Sequence, residues 1–261
     1  MKQLKAPVIS NIEALPGTCL VWLEAPGIAE TARPGQFVMV QCGGDTTLPR
    51  PLSIHRVDGS LLALLFSVVG KGTNRLSQMK RGDTLNIFGP LGNGYTINPR
   101  SQNILLVAGG MGIAPLHFLA EAAAGEGKKV TFINGVRSRD YLLPVSLPQR
   151  LFNAGVHPAS VNVVGATDDG SEGFKGLATQ LIPHYLEGID QVFACGPAAM
   201  YQSMARMPEL KGKNVQLSLE IMMGCGVGVC YGCTIKTKSG LRQVCKDGPV
   251  FEMGEVEWRT E

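Results

Sequence analysis

Four cysteines constrain how the last fifth of this chain can fold. Cys225, Cys230 and Cys233 stand in C-x4-C-x2-C spacing, and Cys245 follows twelve positions after the third. This spacing matches the plant-type ligand pattern of a [2Fe-2S] cluster, in which two thiolates serve each iron. Glycines at 224, 226, 228 and 232 let the backbone wrap closely and turn N–H groups toward the sulfurs. A zinc ion with four cysteine ligands uses the same donors, although zinc ribbons space them as two separated C-x2-C pairs. Disulfides are a third use of the thiols. The crowding of three cysteines with one remote favours the cluster. Cys19, Cys42 and Cys195 lie in apolar or glycine-rich surroundings and read as buried thiols.

The 261 residues suffice for two domains of ordinary size and a small appendage. With 44% hydrophobic and 17% charged residues, a well-buried protein is expected rather than a disordered one. A net charge of +3 without a Lys/Arg block argues against a nucleic-acid partner. Residues 1–7 lack the apolar core of a signal peptide. The apolar run from Ile104 to Leu116 is too short and too broken to span a bilayer. An odd cysteine count and a metal-type motif point to a reducing cytoplasm and no membrane.

Residues 1–98 read as short strands between turn signals, the pattern of an antiparallel barrel or sandwich. Strands are expected at Val8-Ile9, Cys19–Leu23, Phe37–Val40, Leu52–Ile54, Leu61–Val69 and Thr84–Phe88, with a short helix around 74–80. From about residue 99 to 213 the pattern changes. Ile104-Leu105-Leu106-Val107-Ala108 is a continuous apolar run, as in a strand buried on both faces. A helix over 114–124 follows, then strands at 130–133, 161–164 and 191–194. This alternation predicts a doubly wound parallel-sheet α/β domain. Residues 214–261 form a third segment, in which a strand expected at Val215–Leu219 precedes the cysteines.

Several motifs suit phosphate. Gly109-Gly110-Met111-Gly112 joins a strand to a helix, which offers free amides and a helix dipole to a pyrophosphate. A plain strand-to-helix turn accounts for it equally well. Cys195-Gly196-Pro197 ends a later strand at the carboxyl edge of the sheet, where nucleotides bind. In the β region, Arg50-Pro51-Leu52-Ser53 offers a cation and a hydroxyl, and Gly70-Lys71-Gly72-Thr73 opens the short helix. A charged barrel edge and a helix cap are the plainer readings of these two.

Taken in order, Arg-x-x-Ser, Gly-x-Gly-Thr, Gly-Gly-x-Gly and Cys-Gly-Pro resemble the ferredoxin-NADP reductase superfamily over residues 1–210. The added cysteine segment narrows this. The chain resembles the electron-transfer subunit of the NAD-dependent two-subunit dihydroorotate dehydrogenases. Thr167-Asp168-Asp169-Gly170-Ser171, Gly173-Phe174-Lys175-Gly176, Leu219-Glu220, Cys245–Phe251 and Trp258 fit the same subunit. The resemblance implies a FAD-binding barrel using Arg50, Pro51, Leu52, Ser53, Leu65, Phe66, Ser67, Gly72 and Thr73. It implies NAD on Gly109, Gly110, Gly112, Cys195, Gly196 and Pro197, and the cluster on the four cysteines. It also implies an FMN-containing dihydroorotate dehydrogenase catalytic subunit as partner, in a heterotetramer of two of each, serving pyrimidine biosynthesis. The small subunit of ferredoxin/NAD(P)H transhydrogenases shares this layout but carries aspartate at the first ligand position, where Cys225 stands here. Sulfur or hydrogen reductase subunits of similar layout also fit the motifs, as does a zinc-stabilised nucleotide-binding regulator without redox turnover.

NADH delivers two electrons as a hydride, whereas a cluster accepts one, and a flavin converts between them. Positioning suffices for such a transfer, so no general base is expected. His117 is expected as a packed helix residue and His55 as a solvated strand-end residue. Arg137 and Arg139 after the second parallel strand lean toward NADP, while the resemblance leans toward NAD. Met222, Met223, Val227, Val229 and Tyr231 are candidate contacts with a partner.

Overall fold

Six strands close into an antiparallel barrel, and a seven-stranded sheet stands behind it. The structure is a computed structural model that describes residues 1–43, 46–144 and 160–258. The barrel strands are β1 (Lys2–Leu15), β2 (Thr18–Glu24), β3 (Phe37–Gln41), β4 (Arg50–Asp58), β5 (Leu61–Ser67) and β6 (Thr84–Leu91). They run in the order β1-β2-β5-β4-β3-β6. Closure removes both sheet edges, and alternate side chains such as Val21, Leu23, Leu62 and Leu64 fill the interior. The first strand is far longer than Val8-Ile9, because it pairs with β2 at one end and β6 at the other. The short helix is Lys71–Ser77 and begins three residues earlier than expected. Thr73 sets that start: its hydroxyl accepts the Val69 and Gly70 amides at 3.0 and 3.2 Å.

The sheet contains β7 (Asn103–Gly109), β8 (Lys129–Val136), β9 (Val161–Thr167), β10 (Phe174–Lys175), β11 (Gln191–Cys195), β12 (Asn214–Ser218) and β15 (Val250–Glu252). Their order is β10-β9-β8-β7-β11-β12-β15, parallel except for the last pair. β7 and β11 are central and buried on both faces, which explains their unbroken apolar runs. The helix Ile113–Gly125 follows β7 and packs against the barrel as well as the sheet; its Phe118 joins the barrel's apolar cluster. β12 and β15 lie beyond residue 213, so the C-terminal segment enters and leaves its cysteine loop through this same sheet. Between them stand the cysteine loop and a hairpin of β13 (Thr234–Thr237) and β14 (Gly240–Gln243). No helix among the described residues is long and apolar enough to cross a membrane.

Candidate flavin, nicotinamide and cluster sites

The cysteine loop presents two pairs of thiols. Cys225 and Cys230 lie on the outer side, within hydrogen-bonding reach of each other. Cys233 and Cys245 are buried and likewise adjacent; the Cys245 amide donates to Cys233 Sγ at 3.4 Å. The amides of Val227 and Gly228 donate to Cys225 Sγ at 3.5 Å and Cys245 Sγ at 3.2 Å. Burial raises the Cys225 thiol, but the amides of Val227, Cys230 and Val229 and the Cys230 thiol outweigh it and hold it at about 6. Burial, then the neighbouring Cys233, push Cys245 up to about 12. A single tetrahedral ion needs its ligands on one centre. Two adjacent pairs of thiols suit two irons, so the donor set fits a [2Fe-2S] cluster. Tyr231 holds φ +60, left-handed backbone that a bulky residue rarely adopts, and tightens the turn between Cys230 and Cys233.

This loop rests on the barrel. Gly226 has φ +73, and a Cβ there would come 2.6 Å from Met39 Cγ. Met39 is fully buried in β3, directly opposite Pro51 of β4. Phe37, Met39 and Leu91 of the barrel share one apolar cluster with Cys233 and Cys245. The Asn93 side chain ties the seam by donating to the carbonyls of Lys246 and Asp247 at 3.3 and 3.0 Å. Met39 carries no signal in the sequence beyond its place in an apolar strand.

On β4, Arg50, Pro51, Leu52 and Ser53 are partly exposed, and on β5 Leu65 and Phe66 are buried while Ser67 is partly exposed. Two motifs distant in sequence meet here: a Cβ on Gly72 would lie 3.1 Å from Arg50 Nε. Arg50 Nη1 also donates to the Leu48 carbonyl at 2.6 Å, which holds the guanidinium in place. A cleft of about 470 Å³ with Lys71 and Arg75 on its wall opens beside it. The fork of donors on Arg50 and these neighbouring cations suit a pyrophosphate. Thr73 is committed to the helix start and donates its hydroxyl proton to the Gly70 carbonyl at 3.2 Å.

At the carboxyl edge of the parallel sheet, a cleft of about 300 Å³ is lined by Gly109, Gly110, Arg137, Asp168, Pro197 and Met200, with Thr179 and others around them. Gly110 has φ +54 and open space where a Cβ would be, so the turn bares its backbone to the cleft. Gly112 does different work: a Cβ would sit 1.8 Å from the Cys195 carbonyl, so it lets the helix pack on β11. Cys195 itself is buried in the apolar cluster beneath and does not line the cleft; burial pushes its thiol up. Tyr201 secures the loop, accepting the Gly196 amide at 2.8 Å and donating to the Ser218 carbonyl at 2.5 Å. Trp258 packs against the Tyr201 ring, with centroids 5.8 Å apart. Sequence pattern does not mark Tyr201, Asp168 or Thr179 as site residues, although Asp168 stands as the acid at the end of an apolar strand. Arg137 stacks on Tyr141 at 4.5 Å. Asp169 is engaged by Ser171, and these hydrogen bonds, first from the hydroxyl and then from the amide, lower its carboxyl.

The two histidines differ from one another in outcome. His117 is packed as expected. His55 is not solvated: it is 2% exposed, with Nδ1 2.9 Å from the Ala114 carbonyl, because the helix Ile113–Gly125 covers that end of β4. Burial, against the pull of that hydrogen bond, brings His55 down to about 4.

Comparison with known proteins agrees with this geometry. Residues 220–257 match the model of the iron-sulfur cluster binding domain of dihydroorotate dehydrogenase B, and residues 106–206 that of an oxidoreductase NAD-binding domain. The chain is 38% identical to the dihydroorotate dehydrogenase B (NAD(+)) electron transfer subunit of Desulforamulus reducens, covering 98% of this chain and 99% of that one. The corresponding subunit of Clostridium perfringens is 36% identical, with 99% of each covered. Among solved structures, a chain of an NADH-dependent reduced ferredoxin-NADP oxidoreductase, studied for flavin-based electron bifurcation, superposes with a TM-score of 0.82 at 29% identity, over 98% of this chain and 90% of that one. A Neisseria gonorrhoeae ferredoxin NADP+ reductase with bound FAD and NADP shares the fold at a TM-score of 0.61 and 17% identity, over 78% of this chain and 89% of that one. By its near full-length likeness to these subunits, the chain belongs to the family of electron transfer subunits of dihydroorotate dehydrogenase B (NAD(+)).

Proposed function

We propose that this chain passes electrons between NAD(H) and a dihydroorotate-oxidising catalytic subunit through FAD and a [2Fe-2S] cluster, in pyrimidine biosynthesis. When bound, the flavin takes a hydride and releases electrons singly, and the cluster carries them one at a time. Arg50 and Gly72 hold the flavin pyrophosphate, the β4 segment Pro51–Ser53 lines the ring, and Leu65, Phe66 and Ser67 support it from β5. The Gly109-Gly110 turn and Pro197 hold the nicotinamide nucleotide in the cleft, with Gly112, Cys195 and Gly196 shaping it from below. Cys225, Cys230, Cys233 and Cys245 hold the cluster. The three units are residues 1–98, 99–213 and 214–261.

The observation that carries this reading is the contact of Gly226 with Met39, since Met39 lies opposite Pro51. It seats the cluster loop on the strand next to the flavin segment, so the two redox sites share one wall. On the other side of the loop, Met222, Val229 and Tyr231 are 90, 71 and 70% exposed. Such an apolar rim around the outer thiol pair, of which Cys230 is exposed and Cys225 partly so, suits docking of the partner, an FMN-containing catalytic subunit, in a heterotetramer of two of each. The free thiols suit a reducing cytoplasm.

The test is reconstitution. The FAD- and iron-loaded chain should reduce a dye from NADH alone but oxidise dihydroorotate only when mixed with a catalytic subunit. Dihydroorotate oxidation by the chain alone, or none with the partner, would overturn the assignment. The structural likeness to the ferredoxin-NADP oxidoreductase chain supports a second reading as a transhydrogenase subunit. Cys225, paired with Cys230 where that family has aspartate, favours the first. A strong preference for NADPH over NADH would favour the second.

A further inference from the structure

The seam between the barrel and the nucleotide domain contains a chain of polar groups that neither cofactor site uses. Arg56 Nε of β4 lies 2.6 Å from Glu121 Oε1, and that oxygen lies 3.5 Å from His117 Nδ1. The His117 ring is 4.7 Å from the ring of His55, whose Nδ1 meets the Ala114 carbonyl at 2.9 Å. Arg56 and His55 belong to β4; Ala114, His117 and Glu121 belong to the helix Ile113–Gly125. His55, His117 and Glu121 are 2, 2 and 3% exposed, while Arg56 reaches the surface over the Trp22 ring.

A buried polar seam is a poor source of stability, because each group surrenders its hydration. Apolar side chains of similar size would hold the domains at least as well, and Phe118 already does so from the same helix. The hydrogen-bonding contact of His55 with the Ala114 carbonyl and the ion pair of Arg56 with Glu121 supply direction instead. They accept one register of helix against strand, whereas an apolar contact tolerates sliding. That register has consequences at both ends. β4 carries the flavin segment at Arg50–Ser53, and the helix begins at the Gly109–Gly112 turn that faces the nucleotide.

We propose that Arg56 and Glu121, with His117 and His55, are positioning residues that fix the flavin strand against the helix of the nicotinamide turn and thereby set the geometry of hydride transfer. The inference rests on the function proposed above. In that transfer NADH loses a hydride, both electrons included, and becomes NAD+, and the hydride is taken up by the flavin. A slip of the helix by one residue displaces the turn by about 1.5 Å.

The test compares Glu121→Gln, Arg56→Ala and Arg56→Lys with the wild type, all as the full chain loaded with FAD and iron. The limiting rate of flavin reduction at saturating NADH should fall about tenfold to a hundredfold in the first two, the upper figure being the cost of an ångström's misplacement. The NADH concentration for half-saturation, the FAD content and reduction by dithionite should remain as in the wild type. Arg56→Lys, which keeps the charge, should restore most of the rate. Hydrogen exchange should quicken in peptides spanning residues 113–121 while those of β6, which is not next to β4 in the barrel order, stay unchanged. If Glu121→Gln does not fold, Arg56→Ala, at the surface end of the array, serves in its place. Wild-type rates in the folded, FAD-loaded variants would overturn the proposal, as would a loss of rate matched by loss of FAD and lowered melting. A wild-type chain that NADH does not reduce would instead overturn the proposed function, and this inference with it.

Discussion

Replacing Gly226 with alanine presses a methyl group into Met39. The backbone there holds φ +73, which costs a non-glycine residue about 1–2 kcal/mol. The new Cβ would lie 2.6 Å from Met39 Cγ and 3.2 Å from Leu91 Cδ1, whereas carbons in contact settle at roughly 3.5–4.0 Å. Met39 is fully buried and cannot swing into solvent, so the loop or the strand must give by about an ångström. Overpacking of this kind costs about 1–3 kcal/mol. The two effects together destabilise the seated loop by about 2–5 kcal/mol. Gly59→Ala is the control: φ is +57, but nothing lies within 4 Å, so it carries the backbone cost without the collision. Iron content, visible absorption of the cluster and NADH-to-dye reduction would be measured for both. Gly226→Ala should lose cluster iron while keeping flavin reduction by NADH, and Gly59→Ala should keep both. Full iron content and wild-type transfer to the partner in Gly226→Ala would refute the seating of the loop on the barrel.

Arg50→Ala should weaken FAD retention by about 1.5–3 kcal/mol, roughly ten- to hundredfold in the dissociation constant. Flavin content after dilution and gel filtration checks this, and an unchanged content would remove Arg50 from the pyrophosphate site. Cys230→Ser should abolish the cluster and transfer to the partner yet leave reduction of bound flavin by NADH near wild type, as followed by stopped-flow absorption. Acid stability should depend on His55, which burial holds neutral down to about 4 against an ordinary 6.5. Between those values the unfolded chain binds the extra proton, so stability rises with pH across that window and is lost as pH falls through it. The span amounts to about 3 kcal/mol. Denaturant titrations of the wild type and His55→Gln from pH 7 to 4 should show a shallower loss in the variant; parallel curves would contradict the assignment.

Local pattern carries much of this fold. The two regimes of hydrophobic spacing separate barrel from parallel sheet, because strands covered on one face alternate and strands covered on both do not. The cysteine spacing carries the cluster site, since ligand geometry fixes it within one loop. What stays hidden depends on contacts between distant segments. His55 looks solvated beside Arg56 and Asp58, and only the helix 59 residues away in sequence buries it. Met39 is one apolar residue among several until the cysteine loop lands on it. Likewise the strands at 214–218 and 250–252 complete the nucleotide sheet around the cluster, an arrangement that no local periodicity encodes. The motifs of Gly112 and Cys195 suggest nucleotide ligands, and their close mutual packing beneath the turn is likewise a contact between distant segments.

Electron paramagnetic resonance and absorption of the purified chain, before and after NADH and then dithionite, test the central claim most directly. One chain with all three sites should be coloured as purified and should bleach in its flavin bands on NADH. After dithionite it should show the signal of a reduced two-iron cluster, which Cys230→Ser lacks. A colourless protein with bound zinc, or one whose flavin NADH leaves oxidised, would contradict it.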